Sequence, residues 1–240
     1  MLTSQELKSH KRQFLSLTGL TVSEFDLLLP AFQTVYERRY PSDRTQQGQA
    51  RQRQLGGGRR SVLAPLEQKL LFALVYQKTY PLQSVLASLF GLSQSRANRW
   101  IHELLPLLRD ALDNLQMLPT RNPKRFARNE HQQQQSPTLI IDGTERRRQR
   151  PKNKDKQQLH FSGRKKMHSD KNVVIANAQT TRIGYLSQTY CGKTQDKKIV
   201  DSEPIAYPPK AILYKDTGFQ AYEPRVRQTQ QPKKSRGRKN

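Results

Sequence analysis

The sequence has one cysteine, Cys191, among 240 residues, so no internal disulfide can form and a reducing, cytoplasmic setting is expected. It has no run approaching the ~20 apolar residues of a membrane-spanning helix, and its densest apolar stretch, Leu70 to Tyr76, has the length of a core helix. The start, Met1-Leu-Thr-Ser-Gln-Glu, lacks the basic and apolar sections of a secretory signal. A basic amphipathic segment with an aromatic opposite face is missing as well, so no membrane partner is expected. The five histidines and the cysteine show no zinc spacing. Gly192-Lys193-Thr194 looks like the end of a phosphate-binding loop, but the first glycine of that loop would fall at Ser187, which argues against ATP. Acidic residues are scarce, 19 Asp+Glu against 43 Lys+Arg, for a formal net charge of +24. That balance is far outside the usual range for a small enzyme of neutral metabolites and points to a polyanion, nucleic acid first.

What is present begins with helices. Thr3-x-x-Glu6 and Thr21-x-x-Glu24 are capping-box patterns and Gly19 stands where a C-terminal cap belongs, which predicts helices over residues 4 to 18 and 22 to 39. Phe25, Leu28, Leu29, Phe32 and Tyr36 give the second of these a core face. Residues 41 to 60 are rich in Gln, Arg and Gly and read as a basic linker. Pro65 suits a first helical position, and Leu66, Leu70, Leu71, Leu74 and Val75 form an apolar stripe behind it. After a break at Tyr80-Pro81, Leu82, Val85, Leu86, Leu89 and Phe90 predict a shorter helix. Gly91-Leu92 makes a turn, and Ser93 caps a third helix running through Trp100, Ile101, Leu104 and Leu105. Short helix, tight turn and longer helix form a helix-turn-helix pattern, and its exposed Gln94, Arg96, Asn98 and Arg99 can reach base edges and phosphates. Three-helix units also occur in proteins that never touch DNA; the charge of this chain tips the reading towards DNA.

Pro119 to Ser136 reads as a linker, and beyond it the period changes. Leu139, Ile140 and Ile141 are adjacent rather than alternating, which suits a strand buried on both faces and ending in Asp142. The plainer alternative is an Asx turn at Asp142-Gly143. A basic loop over 146 to 156, a strand with a glycine bulge over 159 to 168, a strand over 172 to 178, a turn at 181 to 184 and a returning strand over 185 to 190 follow. His160 and His168 are expected at ordinary strand positions. Residues 194 to 203 are charged enough for an exposed helix, and Ala211 to Asp216 repeats the device of an apolar run ending in one aspartate. The fold class is therefore α+β, an all-helical N-terminal region followed by a mixed α/β sheet. The expected divisions are 1–60, 61–118, a linker at 119–136, a sheet domain at 137–224 and a basic disordered tail at 225–240. Asp142 and Asp216 would sit side by side if their strands are neighbours, and a shared divalent cation is the usual means of tolerating that proximity.

Three stretches stand in order behind the helix-turn-helix: Asp142-Gly-Thr-Glu145 with Arg150-Pro151 shortly after, Phe161-Ser-Gly-Arg-Lys-Lys-Met-His168, and Asp216-Thr-Gly-Phe-Gln-Ala-Tyr222. With them, residues 60 to 224 resemble the helix-turn-helix DDE-superfamily transposases of bacterial insertion sequences. The resemblance implies a partial ribonuclease-H-like fold and places Asp142 and Asp216 as catalytic aspartates and ligands of Mg²⁺ or Mn²⁺. It further implies binding to transposon ends, a homo-oligomer, and a bacterial, cytoplasmic, nucleoid-associated setting. Arg146, Arg147, Arg148, Arg150, Arg164, Lys165 and Lys166 would then contact phosphate.

The sequence departs from that family in three places. The family has a third carboxylate, a glutamate well beyond the second aspartate, and here no acidic residue follows Glu223. The expectation is a truncated form, or one completed by another polypeptide; Glu145, Asp201 and Glu203 are the stand-ins within the chain. Gln195-Asp196 replaces the family's frequent His-Asp, which leaves Asp196 to help shape the site. The tail from Gln228 to Asn240 is basic and without apolar periodicity. The competing function is a non-enzymatic DNA-binding protein or regulator occupying transposon ends. An RNA-binding protein rests on charge alone, without the aromatic pattern of a stacking sheet.

Overall fold

The computed structural model describes residues 1–45, 48–50, 62–128 and 136–232, in two units, Met1–Met117 and Leu118–Asn240. Most of the glycine-rich linker, the glutamines at 132 to 135 and the last eight residues lie outside the described residues.

The first unit consists of α1 (Ser4–Ser9), α2 (Lys11–Thr18), α3 (Val22–Arg39), α4 (Leu66–Thr79), α5 (Gln83–Leu89) and α6 (Gln94–Asn114). The single helix expected over 4 to 18 breaks at His10, where ψ is 72° and the N–H closes back on Leu7 O. The break lets Leu7 and Phe14 both enter the core, Phe14 edge-on to Phe25 with centroids 5.4 Å apart. Thr21 and Glu24 form the expected capping box, and Gly19 has the left-handed φ of 75° that ends α2. Pro65 is the N-cap of α4 rather than its first helical residue, since its ψ of 142° is extended. Of the stripe expected along α5, Leu86 and Phe90 are buried while Leu82, Val85 and Leu89 are exposed, so three of its five residues face outward. A seven-residue helix has room for one line of contact, here closed by Phe90 against Phe72 at 5.0 Å. One core joins residues of all the helices except α5's outer face, and α6 contributes Ala97, Ile101, Leu104, Leu108 and Ala111 at helical spacing. No single helix among the described residues is long and apolar enough to cross a membrane; α2 and α3 pass that test only as a pair bent by 51°.

The second unit is a mixed sheet. Its strands are β1 (Thr138–Arg147), β2 (Phe161–Ser162), β3 (Met167–Asn177), β4 (Ile183–Leu186), β5 (Tyr190–Cys191), β6 (Ile212–Lys215) and β7 (Gln228–Gln230), with α7 (Lys154–His160) and α8 (Asp196–Ser202) between them. The order is β2-β3-β1-β6-β7, with β4 and β5 also on β3. β1 runs antiparallel to β3 and parallel to β6. Leu139, Ile141, Val173, Ile175 and Leu213 are buried on one face with Ile199 and Val200 of α8, Phe126, Tyr207 and Phe219. Each such side chain contributes roughly 1.5–3 kcal/mol by leaving water, so this face sets the register.

Several expectations fail here for identifiable reasons. Ile140 is 45% exposed, and its cross-strand neighbour Tyr214 42%, so β1 is buried on one face only: helices cover one side of the sheet among the described residues. The β1–β3 ladder continues to Arg147 opposite Ser169, which puts Arg146 and Arg147 on the strand rather than in a loop. Asn153 caps α7, a helix not foreseen, and His160 is its last residue. The strand expected over 159 to 168 is a hairpin, because Phe161 and Ser162 fold back on His168 and Met167. The strand expected at 185 to 190 starts earlier, as β4, and the returning pair β5 is separate. α8 is not simply exposed, since Ile199 and Val200 are buried. Within the expected tail, Gln228–Gln230 adds β7 parallel to β6. The architecture is α+β, a helical region with a helix-turn-helix and then a mixed sheet consistent with a partial ribonuclease-H-like domain.

Candidate active site and nucleic-acid interface

Ile141 and Lys215 are the last pair of the parallel β1/β6 ladder, so the next residues come side by side: Asp142, which stays within β1 opposite Val174 rather than ending it as expected, and Asp216, the first residue after β6. Adjacent strands lie ~4.8 Å apart, and the crevice beyond the carboxyl ends of parallel strands is where open sheets bind ligands. By strand alternation Asp142 points to the same open face as Ile140. Each aspartate spends one oxygen on a nearby backbone N–H: Gly143 N–H donates to Asp142 Oδ1 at 2.7 Å, and Gly218 N–H to Asp216 Oδ1 at 2.8 Å. The turn expected at Asp142-Gly143 does not form, because both residues stay in the β1–β3 ladder opposite Val174 and Val173; the Asx turn belongs to Asp216, and each second oxygen has no hydrogen bond among the described residues. The loop after Asp216 is tied down by Lys215, whose buried ammonium reaches Tyr222 O at 2.5 Å and Glu223 at 2.7 Å. Gln231 donates to Asp216 O at 2.5 Å.

Beneath the pair lies Asp196, the first residue of α8. A Cβ at Gly143 would stand 2.4 Å from Asp196 Oδ1, and one at Gly218 would stand 3.1 Å from Oδ2. Only glycine at 143 leaves space for this carboxylate. Its Oδ1 is buried and accepts no hydrogen bond, and the Lys171 ammonium lies 3.2 Å from it. The same ammonium is 3.3 Å from Glu145 Oε1, and Ser169 donates to Glu145 Oε2 at 3.0 Å. Glu145 and Lys171 have side chains only 7% and 10% exposed, so this is a buried charge cluster whose members need one another. Burial pushes the Glu145 carboxyl up, but hydrogen bonds from Ser162 and Ser169 and the Lys171 charge outweigh it and leave it below its usual range. Lys171 was not singled out from sequence: it precedes an apolar strand and carries no motif.

The three stand-ins for a further carboxylate are occupied elsewhere. Glu145 lies an odd number of residues from Asp142 and faces the opposite side of β1. Asp201 pairs with Lys197 at 2.5 Å, and Glu203 accepts from Tyr185, from Tyr190 at 2.9 Å and from Gln188 N–H at 2.9 Å. Burial, and then the bond to Glu203, raise the Tyr185 hydroxyl above its ordinary range. Among the described residues no group of three or more His, Cys, Asp or Glu is arranged to hold a metal ion. Asp142 and Asp216 nonetheless supply the donors a hard cation uses, since Mg²⁺ commonly takes one or two carboxylates and completes its shell with water and substrate phosphate.

Of the basic side chains, Arg146 donates to Asn172 Oδ1 at 2.9 Å, Arg148 to Asp170 at 2.8 Å, and Arg150 to Gln157 Oε1 at 3.1 and 3.0 Å. Arg147 is exposed at the end of β1. Arg164, Lys165 and Lys166 are exposed in the β2–β3 turn, with Lys166 at φ 53°. Cys191, which has no base partner near it in sequence, lies 3.7 Å from His160 Nε2, while His160 Nδ1 is 3.0 Å from Asp170. Arg148 sits 3.0 and 3.1 Å from the two ring nitrogens, so this imidazole serves to brace the guanidinium. In the helical unit, Ser93 caps α6 and turns Gln94, Arg96 and Arg99 outward, with Asn98 half-buried.

No curated protein and no solved structure matches the chain. Among protein families, residues 61–114 match the family described as helix-turn-helix of DDE superfamily endonuclease, and residues 141–240 match the family described as DDE superfamily endonuclease. The first match spans α4 to α6 and the second begins at Ile141, one residue before the paired carboxylate. With its helix-turn-helix and its endonuclease region in that order, the chain belongs to the DDE superfamily of transposases and endonucleases.

Proposed function

We propose that this protein is an insertion-sequence transposase of bacterial, nucleoid-associated type, which grips the ends of its element and acts on DNA strand phosphates through Asp142 and Asp216. The observation that supports the proposal is the neighbouring placement of these two carboxylates, one on β1 and one just after β6, where the parallel ladder ends, each with one oxygen uncommitted. A Mg²⁺ or Mn²⁺ ion bound there would supply the charge that an in-line displacement at phosphorus needs on its attacking and leaving oxygens. Asp142 and Asp216 would hold that ion. Asp196 would keep Gly143 and Gly218, and so the segments that carry the two aspartates, at fixed separation, and Arg146, Arg148 and Arg150 would hold the phosphate backbone. Gln94, Arg96, Asn98 and Arg99 would enter the major groove as the start of a recognition helix. A homo-oligomer on paired ends fits this work.

A second reading is a non-enzymatic form that occupies transposon ends without cutting, its carboxylate set incomplete. What favours it is Lys171: the cluster's other two carboxylates, Glu145 and Asp196, already have a cation between them. The deciding experiment is a strand-cleavage assay with the 240-residue chain, element ends and Mg²⁺ or Mn²⁺, beside Asp142→Ala. Cleavage that vanishes in the variant supports the enzyme; binding without cleavage by the unmodified chain supports the second reading.

A further inference from the structure

A cavity of about 620 Å³ opens at the hairpin end of the sheet, lined by Arg150, Gln157, Phe161, Gly163, His168 and Lys193 among others. Its size falls in the range of ~300–1,000 Å³ that takes one small flat ligand. Three features define its chemistry. Phe161 is 40% exposed and stands edge-to-face with His168, centroids 5.6 Å apart at 70°, so one aromatic face is held by its neighbour and left uncovered. Two cations flank it without an acidic residue in the lining, and the Arg150 guanidinium is fixed by two bonds to Gln157, itself anchored by Nε2 donating to Pro151 O at 2.8 Å. Lys193 is held in place by its N–H on Leu159 O at 3.2 Å, and a Cβ at Gly163 would meet nothing within 4 Å, so the mouth is open.

We infer that this cavity takes a single unpaired nucleotide of a DNA strand, its base stacked on Phe161 and its phosphate between Arg150 and Lys193. Paired duplex offers backbone and base edges but hides its ring faces, whereas an uncovered aromatic ring between fixed cations matches the open face and charge of an unstacked nucleotide. Arg147 ends β1 five residues beyond Asp142, which at ~3.4 Å per residue places the hairpin end about 17 Å from the carboxylate pair. At the ~3.4 Å rise per nucleotide of a stacked, B-form strand that is about five nucleotides. The inference rests on the DNA-binding reading and adds to it a preference for frayed or single-stranded flanks.

The test uses the full chain, at fixed salt, with fluorescence anisotropy on a blunt duplex and on the same duplex carrying a five-nucleotide overhang labelled with 2-aminopurine. The overhang is expected to bind about tenfold more tightly and its 2-aminopurine emission to fall on binding. Phe161→Ala should abolish both effects and leave the blunt duplex bound as before, while Phe161→Trp should keep them. Arg150→Gln should weaken the overhang preference without restoring the emission. Equal affinity for both DNAs, or a preference that survives Phe161→Ala, overturns the inference while leaving DNA binding intact. Failure to bind either DNA overturns the DNA-binding reading itself. A change in sedimentation of Phe161→Ala with its overhang preference intact assigns the cavity to a second copy of the chain and overturns the inference as well.

Discussion

The side chains at the start of α6 and three arginines on or just after β1 are held in opposite ways. On α6, the side chains of Gln94, Arg96 and Arg99 make no hydrogen bond or ion pair among the described residues, whereas Arg146, Arg148 and Arg150 of the sheet unit are each fastened to a neighbour. Free side chains can settle onto the base edges they meet, at the cost of rotamer entropy on binding; braced ones lose little and hold a phosphate at a set place. Under the proposed function the comparison points to a division of labour: adaptable residues where sequence would be read, preorganised ones where a strand would be aligned to two carboxylates.

The largest effect should come from removing the brace at the centre of the sheet unit. Lys171→Met leaves Glu145 and Asp196 charged, buried and unpaired, and should cost about 3–5 kcal/mol in urea unfolding. Trp100 is the only tryptophan and reports the helical unit, so its fluorescence transition should move less than the far-UV circular dichroism of the whole. Acid attacks the same cluster. The Glu145 carboxyl is depressed in the folded state, so its contribution is present above the unfolded value of 4.5 and is lost as pH falls through the lower folded value. Unfolding midpoints measured from pH 6 downward should therefore decline below about pH 4.5 and do so less in Lys171→Met. Gly143→Ala comes next: its methyl group would collide with Asp196, at about 1–3 kcal/mol, and calorimetric Mg²⁺ binding should weaken with it.

Changing the free side chains should do the reverse, sparing stability and damaging recognition. Arg96→Ala with Arg99→Ala should lower affinity for element ends about tenfold or more at fixed salt, with an unchanged melting temperature. Unaltered affinity would remove α6 from the interface and with it the comparison. The smallest effect is expected of Asp142→Ala, which should hardly change DNA binding in metal-free buffer. A large loss there would make that aspartate a prop of the fold.

The sequence carried the helix-turn-helix plainly, because Gly91 and Ser93 are local signals whose structural consequences are fixed within a few residues. The strand ending before Asp216 was legible for the same reason, an apolar run closed by a turn-forming residue, whereas β1 runs on past Asp142 to Arg147 because β3 pairs with it that far. What was hidden depends on distant partners. Nothing local marks His10 as a break, and the exposure of Ile140 follows from which face the helices cover. The hairpin at 161 to 168 looked like one bulged strand because its two arms are short. Lys171 resembles any surface lysine until β1 and α8 are folded against it, and Asp196 shows its place only through the glycines it crowds. The side-by-side position of Asp142 and Asp216 was conditional on strand adjacency, which no single segment encodes.

The glycine at 143 and the aspartate at 196 are fitted to each other like a key and its ward, and the fit also touches 218. Sequence drift at these places is therefore expected to be concerted: across relatives, a shorter or apolar residue in place of Asp196 should be accompanied by release of the glycine at 143 to bulkier residues, while a lineage that keeps the aspartate should keep the glycine. An alignment in which the two positions vary independently would mean that the carboxylate stands elsewhere in those relatives.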